Sequence, residues 1–285
     1  MALLELKGVG KDLGSDERHT EVLRDVNLAI EEGEAVAIVG YSGAGKTTLL
    51  SILAGLLHPD VGTATFRGVP IAGPSPALGV VFQSYSLLPW LTVVENVLLA
   101  VDAVHPDWSR EEKRRCAERF IALVGLSAAC DKRPAQLSGG MRQRVAVARA
   151  LSTEPGVLLM DEPLGALDAL TRGSLQSEIE RIGRESGKTQ VLITNDVDEA
   201  LLMADRVVPL GAGPRATLGP SFEVPGARPR DARALARDPA TKRLRLRIIE
   251  YLVESNRQRR PAVAPETERV ARSPSPTQSP LESRA

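Results

Sequence analysis

The 285-residue chain is long enough for one large domain or two small ones with a real hydrophobic core. Its 36 Lys and Arg balance 36 Asp and Glu, and aromatics are only 3% of residues, which argues against wholesale nucleic-acid binding and against base-stacking platforms. The two cysteines, Cys116 and Cys130, have no CxxC spacing and read as reduced, cytosolic and metal-free.

The N-terminal run "MALLELKGVGKDLG" lacks a basic leading region, and Glu5 and Lys7 break its apolar stretch, so it does not read as a signal peptide. "LLELKGV" and "EVLRDVNLAI" alternate as strands do, with a charged loop between them. "EAVAIVG" is a short β-branched run suited to a buried strand, and "KTTLLSILAGLL" follows with helical spacing. "LLPWLTVVENVLLAVDAV" is the longest apolar stretch. Pro89, Glu95, Asn96 and Asp102 interrupt it, so it falls short of the roughly 20 apolar residues of a membrane span. From Pro106 to Ala150 the pattern is helical, in "REEKRRCAERFIALVGL" and "GGMRQRVAVARA". "GVLLMD" and "TQVLIT" are further buried strands, each followed by a polar loop and a helix. Strands alternating with helices predict an α/β fold with a largely parallel sheet. Beyond about Leu210, "GAGPRATLGPSFEVPGARPRDARAL" predicts an extended strap, "ATKRLRLRIIEYLVESNRQ" a basic amphipathic helix, and Pro261 to Ala285 a disordered tail.

Three motifs carry chemistry. "GYSGAGKTT" (Gly40, Tyr41, Ser42, Gly43, Ala44, Gly45, Lys46, Thr47, Thr48) fits G-x-x-x-x-G-K-[ST] between a strand and a helix. Its glycines let backbone N–H groups wrap a polyphosphate at a helix N-terminus. Lys46 is suited to the β- and γ-phosphates and Thr47 to Mg²⁺. In "VLLMDEP", Asp161 and Glu162 end a buried strand. The first is placed to hold Mg²⁺ through its water shell, and the second to orient or deprotonate an attacking water. In "LSGGMRQR", a Ser-Gly-Gly turn at a helix start presents N–H donors to an anion.

With these motifs, residues 3–210 resemble the ABC (ATP-binding cassette) ATPases. The resemblance implies a P-loop NTPase core with an N-terminal antiparallel β-subdomain and a helical signature-motif insert over about 84–150. The strap and basic helix (211–260) and the tail (261–285) would follow. It implies ATP hydrolysis with Mg²⁺, with Thr47, Gln83 and Asp161 as metal contacts and Glu162, Asn195 and Gln83 as the catalytic set. Ser138, Gly139, Gly140 and Gln143 would act on the nucleotide of an opposite subunit, and Asp168 would be the D-loop residue.

Two positions depart from the family. No aromatic lies near Leu13, where one usually stacks on adenine, which leaves the preference for ATP over GTP open. Asn195 stands where a histidine is usual; His19, His58 and His105 do not align there. "LLPWLTVVENV" and "LGALDALTRGSLQ" resemble ATPase subunits of nitrate, sulfonate and taurine importers. "ITNDVDEALLMADRVVPL" and the strap look most like the nitrate branch, in which asparagine at this position is not unusual. The resemblance therefore implies an energy-coupling subunit for a small anion, nitrate or nitrite, with cyanate, bicarbonate, sulfonate and taurine as alternatives. The partners would be a second ATPase subunit, identical or not, two membrane permeases and a solute-binding protein, with no nucleic acid. The location would be the cytoplasmic face of the bacterial inner membrane. A soluble non-transport ATPase and a non-hydrolysing regulatory cassette are the readings from other classes.

Overall fold

A computed structural model describes residues 2–14, 19–165, 167 and 169–259. The expected tail, Pro261 to Ala285, and Asp168 lie outside the described residues.

The chain opens with β1 (Leu4–Leu13) and β2 (Thr20–Ile30), the two alternating runs of the sequence, paired antiparallel from Leu4↔Ile30 to Leu13↔Thr20. β3 (Ala35–Val39) and α1 (Lys46–Leu53) flank the glycine-rich loop. β4 (Val61–Phe66) and β5 (Val69–Pro70) then complete the first sheet, in the order β2-β1-β4-β5. A Cβ on Gly62 would sit 2.4 Å from the Gly8 and Lys7 carbonyl oxygens, so only glycine lets β4 approach β1 this closely.

β6 (Leu78–Val81) leads out to the helical insert of α2 (Val93–Val104), α3 (Arg110–Leu123) and α4 (Gly139–Leu151). Thr92 with Glu95 and Ser109 with Glu112 form capping boxes at the starts of α2 and α3. Backbone and side-chain hydrogen bonds from Thr92 hold the Glu95 carboxyl below its ordinary range, and Ser109 does the same for Glu112. Val97, Val101, Ala117, Ile121, Val145 and Ala148 pack the three helices into one core with the sheet.

β7 (Val157–Asp161), α5 (Ala169–Ser186), β8 (Thr189–Thr194), α6 (Val197–Met203) and β9 (Arg206–Pro209) complete the α/β core. The second sheet runs β10-β9-β3-β8-β7-β6, where β10 is Phe222–Glu223. β3, β6, β7, β8 and β9 are parallel, and every residue of β3, β7 and β8 is buried. Burial on both faces explains their unbroken apolar runs. The carboxyl ends of β3, β7 and β8 carry the glycine-rich loop, Asp161–Glu162 and Asn195 to one edge of the sheet.

The C-terminal segment differs from the expected strap. Phe222 pairs antiparallel with Val207, and α7 (Ala232–Arg237) forms where "DARAL" was read as extended. Two arginines of this stretch, Arg228 and Arg230, are internal staples. Arg228 grips both Asp205 oxygens at 2.8 and 2.9 Å, and Arg230 donates to the carbonyls of Leu201, Leu202, Ala204, Val224 and Gly226. Glycine and proline composition pointed to irregular backbone, but Asp205 and the carbonyls of Leu201, Leu202 and Ala204 lie far back along the chain. The basic helix is α8 (Pro239–Arg259), whose buried Leu244, Ile248 and Leu252 recur every fourth residue.

Candidate active site

Gly40 to Gly45 turn tightly between β3 and α1, with Gly43 at φ 78° and Gly45 at φ 97°. Gly45 occupies the N-cap of α1 without a side-chain cap, so the first N–H groups of α1 are available to an anion. A Cβ at Gly45 would meet Val22 at 2.8 Å, and one at Gly43 would meet nothing within 4 Å. Gly45 is therefore fixed by packing and backbone, and Gly43 by its left-handed conformation.

Lys46 is 5% exposed. Its Nζ donates to the carbonyls of Gly40 (3.1 Å) and Tyr41 (3.0 Å) and to Asn195 Oδ1 (2.6 Å), and lies 3.4 Å from Glu162 Oε1. An ammonium only donates, so Asn195 turns its oxygen to Lys46 and leaves its amide nitrogen for another acceptor. Thr47 Oγ1 donates to Asp161 Oδ2 at 2.9 Å. Burial pushes the Asp161 carboxyl up and the Thr47 hydrogen bond opposes that. Among the described residues no cluster of three or more His, Cys, Asp or Glu could hold a metal. One hydroxyl beside one carboxylate fits Mg²⁺, which keeps water and phosphate oxygens in its shell and needs few protein ligands.

Glu162 follows β7 with φ 44°, a conformation that non-glycine residues adopt where their surroundings impose it. Its N–H donates to the Ile193 carbonyl at 2.8 Å, and Gln83 Nε2 donates to its Oε2 at 2.9 Å. Gln83, Glu162, Thr194 and Asn195 line one cavity of about 370 Å³. Residues 79 and 33 positions apart from Glu162 thus converge on it.

The signature lies at the far end of the helical insert. Ser138 is exposed and caps α4, its Oγ accepting from Met141 N at 3.3 Å, with Gly139 and Gly140 in the first turn. Gln143, grouped with these residues from the resemblance, is 1% exposed, and its Nε2 has no partner. Within the single chain it is therefore buried along α4 and not on its exposed face. Leu13 ends β1 at 39% exposure, an apolar surface without a ring. Tyr41, on the glycine-rich loop, is equally exposed.

Sequence reading missed Glu199. It lies on the buried face of α6 beside Ala200 and Met203, and its Oε2 accepts from Thr194 Oγ1 at 2.8 Å. Burial pushes its carboxyl up to about 7, and its other oxygen is buried without a partner. A carboxylate among apolar residues on one helical face was the signal available. The folded state holds this proton more tightly than the unfolded chain does. The resulting stabilisation is complete below the ordinary value of 4.5 and is lost as pH rises through 7. Glu199→Gln keeps the acceptor for Thr194 and never ionises. It is expected to exceed wild type in unfolding free energy by about 3 kcal/mol at pH 8 and to match it at pH 4, as read by urea denaturation.

The family model described as "ABC transporter" matches residues 23–165. The chain is 50% identical over 238 residues to the nitrate import ATP-binding protein NrtC of Synechococcus elongatus, covering 84% of this chain and 36% of that protein. It is 45% identical over 251 residues to the bicarbonate transport ATP-binding protein CmpD of a Synechocystis species, covering 88% and 89%. The chain thus spans about a third of NrtC and most of CmpD. Among solved structures, the ATP-binding cassette MJ0796, dimeric in a post-hydrolysis state bound to ADP and Pi, superposes with a TM-score of 0.71. It is 33% identical and covers 79% of this chain and all of that one. With the glycine-rich loop, the Asp161–Glu162 strand end and the signature helix on this scaffold, the chain belongs to the ABC transporter family.

Proposed function

We propose that this chain is the ATP-hydrolysing, energy-coupling subunit of an importer for a small inorganic anion. The convergence of Lys46, Thr47, Asp161, Glu162, Asn195 and Gln83 carries this reading. Mg²⁺, when bound, would be held by Thr47 and Asp161 and would neutralise charge on the phosphates. The α1 N-terminus and Lys46 bind and orient the triphosphate. Glu162, fixed through Gln83, accepts a proton from the attacking water. The amide nitrogen of Asn195 donates to a γ-phosphate oxygen, directly or through one water.

Two cassettes would face each other, with Ser138, Gly139 and Gly140 of one completing the phosphate site of the other and Asp168 joining them. ATP closes the pair because it binds the closed state better, and hydrolysis reopens it. Two permeases and a solute-binding protein complete the assembly, with this subunit at the cytoplasmic face of the bacterial inner membrane. No helix among the described residues is long and apolar enough to cross a membrane, which supports a peripheral role.

For the cargo we favour nitrate, with bicarbonate as the alternative, because relatives of similar identity carry both names. An ATPase subunit need not touch the transported anion, so uptake must decide. Deletion of this subunit is expected to abolish high-affinity uptake of labelled nitrate and leave bicarbonate uptake intact. Loss of bicarbonate uptake with nitrate uptake intact would reverse the assignment and leave the energy-coupling role standing.

A further inference from the structure

Two successive non-glycine residues, Tyr85 (φ 60°) and Ser86 (φ 50°), follow Gln83 in the left-handed region. Such a pair persists only where neighbours over-determine it. Here the neighbour is Arg149, in the last turn of α4. Its Nη2 donates to the Tyr85 carbonyl at 2.9 Å and its Nη1 to the Ser86 carbonyl at 2.5 Å. The planar fork of one guanidinium thus reads two adjacent carbonyls at once. Arg142, two turns earlier on the same helix, lies 5.5 Å over the Tyr85 ring.

The far side of the loop is held separately. Asn96 is fully buried; its Oδ1 accepts from Leu88 N at 2.8 Å and its Nδ2 donates to the carbonyls of Leu88, Leu91 and Thr92. Between these two clamps Trp90 stands 65% exposed. Before them, Gln83 reaches Glu162. Ten residues of helix, a rise of roughly 15 Å, separate Arg149 from Gly139 at the signature end of α4.

We propose that Arg149 is a positioning residue. It locks the Tyr85–Ser86 turn so that Gln83 meets Glu162, and through α4 it makes that loop move as one body with Ser138. The proposal rests on the hydrolytic reading of Glu162 and Gln83. It assigns Arg149 no contact with nucleotide. Burial also lowers the Arg149 pKa, in keeping with a desolvated guanidinium whose partners are carbonyls and not carboxylates.

The test compares wild type, Arg149→Ala and Arg149→Lys as full chains with Mg·ATP. Thermal melts are taken first, and amide hydrogen exchange is followed by mass spectrometry. Arg149→Ala is expected to lower kcat roughly tenfold with KM for ATP within about twofold, the pattern of a misplaced group rather than a lost binding contact. Exchange should accelerate at 84–88 and stay unchanged in β7 and β8. Arg149→Lys, which can donate to the same carbonyls without the planar fork, should recover part of both readouts. A folded Arg149→Ala with wild-type kcat and wild-type exchange at 84–88 overturns the proposal. So does equal damage in both variants with exchange raised through β7 and β8, which would mean a role in folding alone. If wild type hydrolyses no faster than Glu162→Gln, the hydrolytic reading has failed, and exchange at 84–88 alone decides whether Arg149 is the clamp.

Discussion

Glu162→Gln is expected to lower the rate of ATP hydrolysis by roughly 100-fold, the range associated with losing a positioned general base. The carboxylate is held from three sides. Its backbone N–H is tied to Ile193, one oxygen accepts from Gln83, and the other lies 3.4 Å from the Lys46 ammonium. Glutamine occupies nearly the same volume, so the loop should survive while the proton acceptor is lost. KM for ATP should change little, since α1 and Lys46 are intact. Two cassettes that bind ATP without consuming it should accumulate as a dimer in Mg·ATP. Steady-state kinetics and light scattering check both halves. Wild-type turnover in the variant, or a monomer in saturating Mg·ATP, would remove Glu162 from the base position.

Asn195→Ala is expected to lower kcat by roughly 30-fold, less than the 10²–10³ measured when a well-aligned donor to a developing oxyanion is removed. The shortfall reflects what asparagine already does. Its oxygen accepts from Lys46 at 2.6 Å, which fixes the side chain and aims the amide nitrogen elsewhere. Alanine forfeits both the acceptor that steadies Lys46 and the donor for phosphate. Asn195→His should be tolerated or mildly activating, because an imidazole offers one acceptor nitrogen and one N–H to the same two partners. Unlike asparagine, histidine also titrates, so its kcat should acquire a pH dependence near 6.5 that wild type lacks. Rates for the three proteins with their membrane partners decide this. Equal turnover in wild type and Asn195→Ala would leave Asn195 without a catalytic part.

The sequence by itself determined the chemistry of each loop. G-x-x-x-x-G-K-[ST] between a buried strand and a helix leaves few alternatives to phosphate binding. The runs "AVAIV", "VLLMD" and "TQVLIT" announced strands buried on both faces, and these are β3, β7 and β8. Periodicity works there because every residue of those strands answers to the same environment. It fails for β6, four residues long, and for β10, two residues long, because short edge segments take their structure from a partner strand. Likewise "DARAL" became helix because Asp231 caps it, while Arg230 before it is anchored on carbonyls from α6 onward. Only the tertiary structure could bring Gln83, Glu162, Asn195 and Lys46 within hydrogen-bonding reach, and only it could turn Gln143 inward. Those relations depend on the parallel order of β3, β8 and β7 and on packing between distant segments. Local sequence encodes which groups can react or donate. Long-range packing decides which of them meet, because a hydrogen bond depends on position in space and not on separation along the chain.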